Sequence, residues 1–217
     1  MAKEVLIQVA LDSLDPQVTL DLAAKAAPYV DIIEIGTPCI KHNGVSLVKE
    51  LKSRFGDKKI LVDLKTMDAG EYEADPFFAA GGDITTVLGA ADLDTIKGVV
   101  TAAHKHNGWA QVDLINVSDK SAIAKAAAEA GADIIGVHTG IDQQLAGQTP
   151  FEDLNLVSGL GLDVKISCAG GIKADTVQDV VKAGADIVVV GGAIHSADDP
   201  AAAAKKIREL VDEAAGA

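Results

Sequence analysis

Six ionisable side chains stand at or near the ends of short apolar runs, where charged residues are rarely buried unless they are paired or bind a metal. They are Asp12, Glu34, Asp63, Lys65, Asp113 and His138. Four carboxylates against one lysine form an unstable charge balance unless protons or a cation intervene. Oxygen ligands without a cysteine–histidine cluster suit Mg²⁺ best. A structural network of aspartate and lysine without a metal is the alternative.

The densest of these signals is DLKTMD at residues 63–68, which has the pattern D-x-K-x-x-D. Residues two apart on a strand point to the same face, so we expect Asp63 and Lys65 to share a face, with Asp68 on the following loop. An ammonium group between carboxylates keeps its proton and can stabilise or protonate an oxyanion. His138 is a candidate base because imidazole titrates near neutral pH, and a hydrogen-bonded core histidine is the alternative.

Two glycine pairs follow the last two apolar runs, in AGGIK at residues 169–173 and VVGGAI at residues 189–194. Backbone N–H groups can approach a phosphate closely where no side chain intervenes. We therefore predict that a phosphate group is bound by Gly170, Gly171, Gly191 and Gly192. Tight turns between a strand and a helix are the alternative, which explains one glycine pair better than two.

A repeated phrase indicates the elements that position these residues. The pattern AG(A/G)DI occurs at 80–84, 130–134 and 183–187, and a looser copy begins at residue 28. Its glycine can end a helix in the left-handed conformation, and the β-branched run after it suits a strand buried on both faces. Eight strands are predicted, with starts near Val5, Asp31, Lys59, Asp83, Trp109, Asp133, Asp163 and Asp186. Helices are predicted at about 16–27, 44–55, 70–80, 92–106, 119–130, 150–160, 174–183 and 199–214.

Eight β–α units of this spacing predict an α/β protein with a single (β/α)₈ TIM barrel over residues 1–217. A doubly wound open sheet is the alternative, but it usually has fewer strands, and no G-x-G-x-x-G pattern follows the first predicted strand. In a barrel the carboxyl ends of all strands open onto one mouth, and the loops after strands seven and eight commonly bind phosphate. The ionisable residues and both glycine pairs are therefore expected to converge there.

Composition restricts the partners of this chain. It is 48% apolar, and 19 basic residues against 32 acidic ones give a net charge of −13. Such a chain repels phosphate backbones, which argues against binding nucleic acid or anionic membranes. No apolar run approaches the roughly 20 residues that span a bilayer, and the first residues lack a signal-peptide pattern. Two cysteines give no disulfide framework, so we expect a cytoplasmic protein with small-molecule substrates.

The motifs resemble those of the 3-hexulose-6-phosphate synthases, a branch of the orotidine 5′-monophosphate decarboxylase suprafamily. The resemblance covers essentially the whole chain. It is carried by VALD at 9–12, DIIEIGTPCIKHNG at 31–44, DLKTMDAGEYEA at 63–74, VLG at 87–89, GVHTGIDQQLAGQTPF at 136–151, AGGIK and VVGGAI. The related 3-keto-L-gulonate 6-phosphate decarboxylases share most of the site but carry Glu, Arg and Thr where this chain has Asp113, Ile141 and Ala169. They also tend to have Arg where this chain has Gly192.

The resemblance implies an aldol condensation of formaldehyde with D-ribulose 5-phosphate that gives D-arabino-hex-3-ulose 6-phosphate. It implies Mg²⁺, with Mn²⁺ as a substitute, held by Glu34 and Asp63, and a Lys65 ammonium at the enediolate. His138 is the favoured base for the C1 proton, with Asp63 as the alternative.

The remaining acids would position the sugar. The resemblance implies that Asp12, Asp68 and Asp113 orient hydroxyl groups. Family members are dimers in which the second aspartate of D-x-K-x-x-D enters the neighbouring site, so we expect a homodimer in which Asp68 does so. Two other functions stay open: the decarboxylase reaction, and a sugar-phosphate-binding barrel without catalysis, for which Lys65 and His138 would be unnecessary.

Overall fold

Eight parallel strands close into a barrel in the computed structural model, which describes residues 4–216. The strands are β1 (Leu6–Leu11), β2 (Ile32–Ile35), β3 (Lys59–Thr66), β4 (Ile84–Leu88), β5 (Trp109–Asp113), β6 (Ile134–His138), β7 (Lys165–Ala169) and β8 (Ile187–Val190). They pair in chain order, and β8 pairs with β1 to complete the closure. The predicted (β/α)₈ barrel is thereby confirmed. Residues 1–3 and 217 of the predicted domain lie outside the described residues.

Helices connect the strands on the outside of the barrel. They are α1 (Pro16–Ala26), α2 (Thr37–Asn43), α3 (Val45–Arg54), α4 (Gly70–Ala79), α5 (Leu93–Lys105), α6 (Lys120–Glu129), α7 (Ile141–Leu145), α8 (Phe151–Ser158), α9 (Val177–Lys182), α10 (Gly192–His195) and α11 (Pro200–Ala215). The short helices α2, α7 and α10 have no counterpart among the predicted helices, because a helix of one or two turns has no repeating apolar face. Among residues 4–216, no helix has the length and apolar character needed to cross a bilayer.

The repeated phrase AG(A/G)DI marks the start of β4, β6 and β8. Its glycines Gly81, Gly131 and Gly184 have φ angles of 103°, 93° and 110°. A side chain at such an angle is unfavourable, so glycine ends the preceding helix without strain, as predicted.

The aspartate of the phrase forms a hydrogen bond with the backbone of the preceding strand in the chain. The carboxylates of Asp83, Asp133 and Asp186 each accept a 2.8 Å hydrogen bond from a backbone N–H near the start of β3, β5 and β7. Asp31, in the looser copy, does the same for the N–H of Ile7 in β1. These bonds fix the register of four strand pairs at the amino end of the barrel. The repeat therefore serves the fold, at the end opposite the mouth.

Two apolar cores determine where a ligand can enter. One lies between the strands and the helices, and the other lies inside the barrel, mainly toward its amino end. The inner core consists of Ile32, Leu61, Ile84, Ile134, Ile187 and Val189. Trp109 packs against it, with the Lys59 ammonium 4.1 Å from the ring centroid. The amino end of the barrel is thus filled, which leaves the carboxyl end for the site.

Candidate active site

A cavity of about 670 Å³ opens at the carboxyl ends of the strands. The structure brings the predicted site residues together there, with one exception. The cavity is lined by Asp12, Glu34, Asp63, Lys65, Asp113, His138, Gly170, Gly171, Gly191 and Gly192. The exception is Asp68, which is exposed outside the cavity, where its Oδ1 accepts a 2.8 Å hydrogen bond from the backbone N–H of Ala69. Within one chain, Asp68 is therefore not part of the site.

Lys65 lies at the centre of the charged groups. Its Nζ is 2.6 Å from Asp63 Oδ2 and 3.1 Å from Asp113 Oδ2. The same Asp113 oxygen lies 2.9 Å from His138 Nδ1, so the aspartate joins the ammonium to the imidazole. The four side chains form one network that faces the cavity.

The network determines the protonation of its members. Burial lowers the pKa of Lys65, but the charges of Asp63 and Asp113 outweigh it and raise that pKa above its ordinary value. Burial also acts to lower the pKa of His138, and the hydrogen bond and charge of Asp113 raise it overall. For Asp113 burial acts to raise the pKa, whereas His138 and Lys65 hold it below its usual range. Lys65 stays cationic, Asp113 stays ionised, and His138 can exchange a proton near neutral pH.

A bulge in β3 places Lys65. The register with β4 shifts between Val62 and Thr66, and Lys65 has a φ of 49°, in the left-handed region. Its backbone N–H donates a 2.9 Å hydrogen bond to Thr86 Oγ1. Such a backbone is unfavourable for a residue with a side chain, so its surroundings must hold it there. Strand alternation predicts the shared cavity of Asp63 and Lys65 but not this bulge.

Two threonines that sequence reasoning missed orient Asp63. Thr37 Oγ1 donates a 2.5 Å hydrogen bond to Asp63 Oδ2, and Thr86 Oγ1 donates a 2.7 Å bond to Oδ1. Thr86 faces inward on β4, two residues after Ile84 of the inner core, so strand alternation could have identified it. Thr37 begins the unpredicted α2, and no comparable signal marks it.

Glu34 is buried without a cationic side chain in contact among the described residues, where its Oε2 accepts a 2.7 Å hydrogen bond from Gln8 Nε2. Burial, with the nearby charge of Asp63, raises the pKa of Glu34 to about 8. Burial is also the main reason that the pKa of Asp12 is raised. Three neighbouring carboxylates would thus be stabilised by a cation.

The donor set fits an ion that binds through few protein ligands. Within residues 4–216, no group of three or more His, Cys, Asp or Glu side chains is arranged to hold a metal ion. Mg²⁺ often binds through one or two carboxylates, together with water and substrate oxygens. Glu34 and Asp63, both buried and both on the cavity wall, suit that mode.

The structural reason for glycine differs between the pair after β7 and the pair after β8. Gly170 and Gly171 have φ angles of 124° and 67°, and a Cβ on Gly170 would lie 2.6 Å from the backbone oxygen of Thr139. Turn geometry therefore accounts for the pair after β7. At Gly192 no atom lies within 4 Å of an added Cβ, and the φ is not in the left-handed region. The backbone does not require glycine there, which leaves its surroundings open to a ligand.

Four further cavity residues lie deeper in the barrel and were not predicted. They are Gln8, Gln111, Gly136 and Ser167. Each faces inward two residues before a residue at the mouth, so strand alternation could have found them.

Comparison with known proteins identifies the family. The sequence model of the orotidine 5′-phosphate decarboxylase / HUMPS family matches residues 6–207. The chain belongs to this family. A 3-hexulose-6-phosphate synthase of Methylomonas aminofaciens is 63% identical over 205 residues, which cover 94% of this chain and 98% of the relative.

Solved structures agree with this assignment. The crystal structure of 3-hexulose-6-phosphate synthase from Salmonella typhimurium has a TM-score of 0.94 and 40% identity, covering 97% of this chain and 100% of that one. A 3-keto-L-gulonate-6-phosphate decarboxylase from Vibrio cholerae has a TM-score of 0.85 and 27% identity, covering 97% and 99%. Within the family, the chain is thus a member of the synthase branch and an enzyme of the lyase class.

Proposed function

We propose that this enzyme catalyses the Mg²⁺-dependent aldol condensation of formaldehyde with D-ribulose 5-phosphate, giving D-arabino-hex-3-ulose 6-phosphate. One observation carries the proposal: Lys65 lies between Asp63 and Asp113, and His138 contacts the same Asp113 oxygen. The reaction needs a base at C1 of the sugar and positive charge at the enediolate that forms. His138 and Lys65 are the groups for these two tasks. The names of the relatives at 63% and 40% identity support this choice of reaction.

In the proposed mechanism His138 takes the proton from C1, while Asp113 orients its ring through Nδ1. The Lys65 ammonium stabilises negative charge on the enediolate. Lys65 does not form a Schiff base, because the two carboxylates beside it keep it protonated. Asp63 is less suited to act as the base, since it is assigned to the cation and its Oδ2 already accepts hydrogen bonds from Thr37 and Lys65.

Glu34 and Asp63 are the residues that would hold Mg²⁺, or Mn²⁺ in its place. Lewis-acid polarisation of the C2 carbonyl is the chemistry that this cation supplies when bound. Gln8 orients Glu34, and Thr37 and Thr86 orient Asp63.

The sugar phosphate extends from these residues toward the loops after β7 and β8. Backbone N–H groups at Gly170, Gly171, Gly191 and Gly192 bind its phosphate. The phosphate can approach these groups closely because glycine has no side chain. Asp12 and Asp113, on the cavity wall, orient the hydroxyl groups between the phosphate and C1.

Three positions favour condensation over the decarboxylase reaction. Decarboxylation ends with protonation of an enediolate, whereas condensation must keep the enediolate unprotonated until formaldehyde arrives. Ile141 begins α7 at the cavity, where an arginine would hold water beside His138. Asp113 and Ala169 are also smaller than the Glu and Thr of the decarboxylases, which leaves space near C1.

The test compares two reactions of the purified enzyme: formaldehyde consumption with ribulose 5-phosphate, and CO₂ release from 3-keto-L-gulonate 6-phosphate. We expect condensation to be the faster, EDTA to abolish it, and Mg²⁺ or Mn²⁺ to restore it. Faster CO₂ release would refute the choice of reaction, and full activity after rigorous chelation would refute the metal assignment. If the protein catalyses neither reaction but still binds the sugar phosphate, the result would favour a non-catalytic binding protein.

A homodimer would give Asp68 a role in catalysis. Asp68 is exposed outside the cavity of its own chain, close to the exposed side chains of Met67 and Tyr72. We propose that two copies pair over this surface, so that Asp68 enters the neighbouring site. The purified variants Asp68→Asn and His138→Asn should each be inactive, and mixing them should restore activity. In each mixed dimer, one of the two sites then has both native residues. No recovery in a mixture shown to exchange subunits would contradict this arrangement.

A further inference from the structure

A glycine stands on the barrel-facing side of β6, directly below His138. Gly136 precedes His138 by two residues, so both face the cavity. In register it pairs with Asp113 on β5 and Ser167 on β7. A glycine inside a strand weakens it, and it often marks a place where a ligand or another backbone approaches closely.

The space beside Gly136 is bounded by hydrogen-bonding groups. An added Cβ would lie 3.0 Å from Gln111 Nε2, 3.3 Å from Ser167 Oγ and 3.4 Å from the backbone oxygen of Val112. The φ of Gly136 is not in the left-handed region, so the backbone does not demand glycine. A Cβ at these distances would be crowded, so the missing side chain leaves room for about one small atom between two donors. We call Gln111, Gly136 and Ser167 the floor niche.

The side chains of Gln111 and Ser167 have no hydrogen-bond partner within the described part of the chain. Gln111 is 8% exposed and Ser167 is 1% exposed, yet both line the cavity. Gln111 Oε1 is buried without a hydrogen bond. Gln111 Nε2 and Ser167 Oγ lie beside Gly136 on the cavity wall and have no hydrogen-bond partner among residues 4–216. Buried polar groups are normally paired, because leaving them unpaired is costly. The two donors on the cavity wall are therefore available to a ligand that carries an acceptor.

We propose that the floor niche is the formaldehyde subsite, where Gln111 Nε2 and Ser167 Oγ donate hydrogen bonds to the aldehyde oxygen. This inference rests on the proposed condensation. Formaldehyde has one small acceptor oxygen, which suits a space of one atom between two donors, and its unsubstituted carbon then points into the cavity. The place is also suitable, because the niche lies directly below the base that generates the nucleophile at C1.

The bond-forming step balances with the groups already present. His138 first holds the proton taken from C1. The enediolate then reforms the C2 carbonyl, and C1 supplies the electron pair for a bond to the formaldehyde carbon. The C=O π pair moves to the aldehyde oxygen, and the resulting alkoxide receives the proton from His138. Gln111 and Ser167 stabilise this oxygen as its negative charge develops.

Two variants separate the space from the donors. Gly136→Ala fills the niche, and Ser167→Ala keeps the space but removes one donor. We expect Gly136→Ala to raise the KM for formaldehyde about tenfold or more. Ser167→Ala should lower kcat/KM for formaldehyde by about tenfold or more. In both, the KM for ribulose 5-phosphate and its C1 proton exchange into D₂O without formaldehyde should be unchanged.

Gly56→Ala is the matched control, because Gly56 is exposed and an added Cβ would lie 3.5 Å from its nearest neighbour. If Gly136→Ala does not fold, Ser167→Ala tests the subsite by itself. Ser167→Ala should fold, because the Ser167 hydroxyl makes no hydrogen bond to a described residue. Unchanged formaldehyde kinetics in a folded variant would overturn the subsite, and so would an equal loss of proton exchange and condensation. A parent enzyme that exchanges the C1 proton but does not consume formaldehyde would instead refute the proposed function.

Discussion

Replacing Asp113 with asparagine tests the assignment of His138 as the base. The Asp113 oxygen lies 2.9 Å from His138 Nδ1 and 3.1 Å from Lys65 Nζ. Asparagine keeps the size and an acceptor oxygen but removes the negative charge. Burial and the charge of Lys65 then dominate, and both lower the pKa of His138.

The size of the effect follows from distance and burial. An opposite charge within hydrogen-bond distance shifts a pKa by about 1–3 pH units. The side chains of His138 and Asp113 are only 25% and 4% exposed, so water screens their interaction weakly. We expect the pKa of His138 to fall by about 2 pH units, which corresponds to about 3 kcal/mol.

The assay is C1 proton exchange of ribulose 5-phosphate into D₂O, followed by NMR across pH without formaldehyde. In the parent, the rate falls on the acid side as His138 becomes protonated. In Asp113→Asn this acid limb should move to lower pH by about 2 pH units. The plateau rate should also fall, because a weaker base accepts the proton less readily.

Asp94→Asn is the control, since Asp94 is almost fully exposed, pairs with Lys97 and does not line the cavity. An acid limb that stays in place in Asp113→Asn would refute His138 as the base. Asp63 would then be the better candidate, because it contacts Asp113 only through Lys65.

Changes at a proposed metal ligand, at the phosphate-binding loops and at the three positions that favour condensation have separate expected effects. The pKa of Glu34 is raised from 4.5 to about 8, so the metal-free protein should lose stability as pH rises through that range. In Glu34→Gln, Tm should no longer fall over this pH range and should no longer rise on addition of Mg²⁺. A parent enzyme whose Tm depends on neither pH nor Mg²⁺ would contradict this prediction. Gly192→Val should fold and raise the KM for ribulose 5-phosphate about tenfold, and an unchanged KM would place the phosphate elsewhere. Ile141→Arg, alone or with Asp113→Glu and Ala169→Thr, should lower kcat at nearly constant sugar KM. A triple variant as fast as the parent would mean that these positions do not select the reaction.

Strand alternation and the spacing of β–α units were sufficient to predict the barrel and most of its mouth. In a parallel barrel all carboxyl ends meet on one side, and inward-facing positions recur every second residue. These two rules bring Asp63, Lys65, Asp113 and His138 into one cavity without knowledge of any contact.

The repeated AG(A/G)DI phrase was visible in the sequence, but only the role of its glycine could be predicted, and not the role of its aspartate. Its glycine was interpretable, because ending a helix is a local event. The aspartate acts on a strand 20 or more residues earlier, as with Asp83 and the backbone N–H of Ile60. Nothing local distinguishes that carboxylate from one at the mouth, so its structural role required the folded chain.

Only the tertiary structure decided which groups touch. Alternation assigns a residue to a face, but the stagger of the closed barrel sets its height and its neighbours across the interior. That closure, with the left-handed bulge in β3, lets Lys65 reach Asp113 on a strand two places away. It also brings Gln111 and Ser167 to the two sides of Gly136. Asp68 shows the same limit, because its motif predicts an active-site residue whereas the fold of a single chain leaves it outside the cavity.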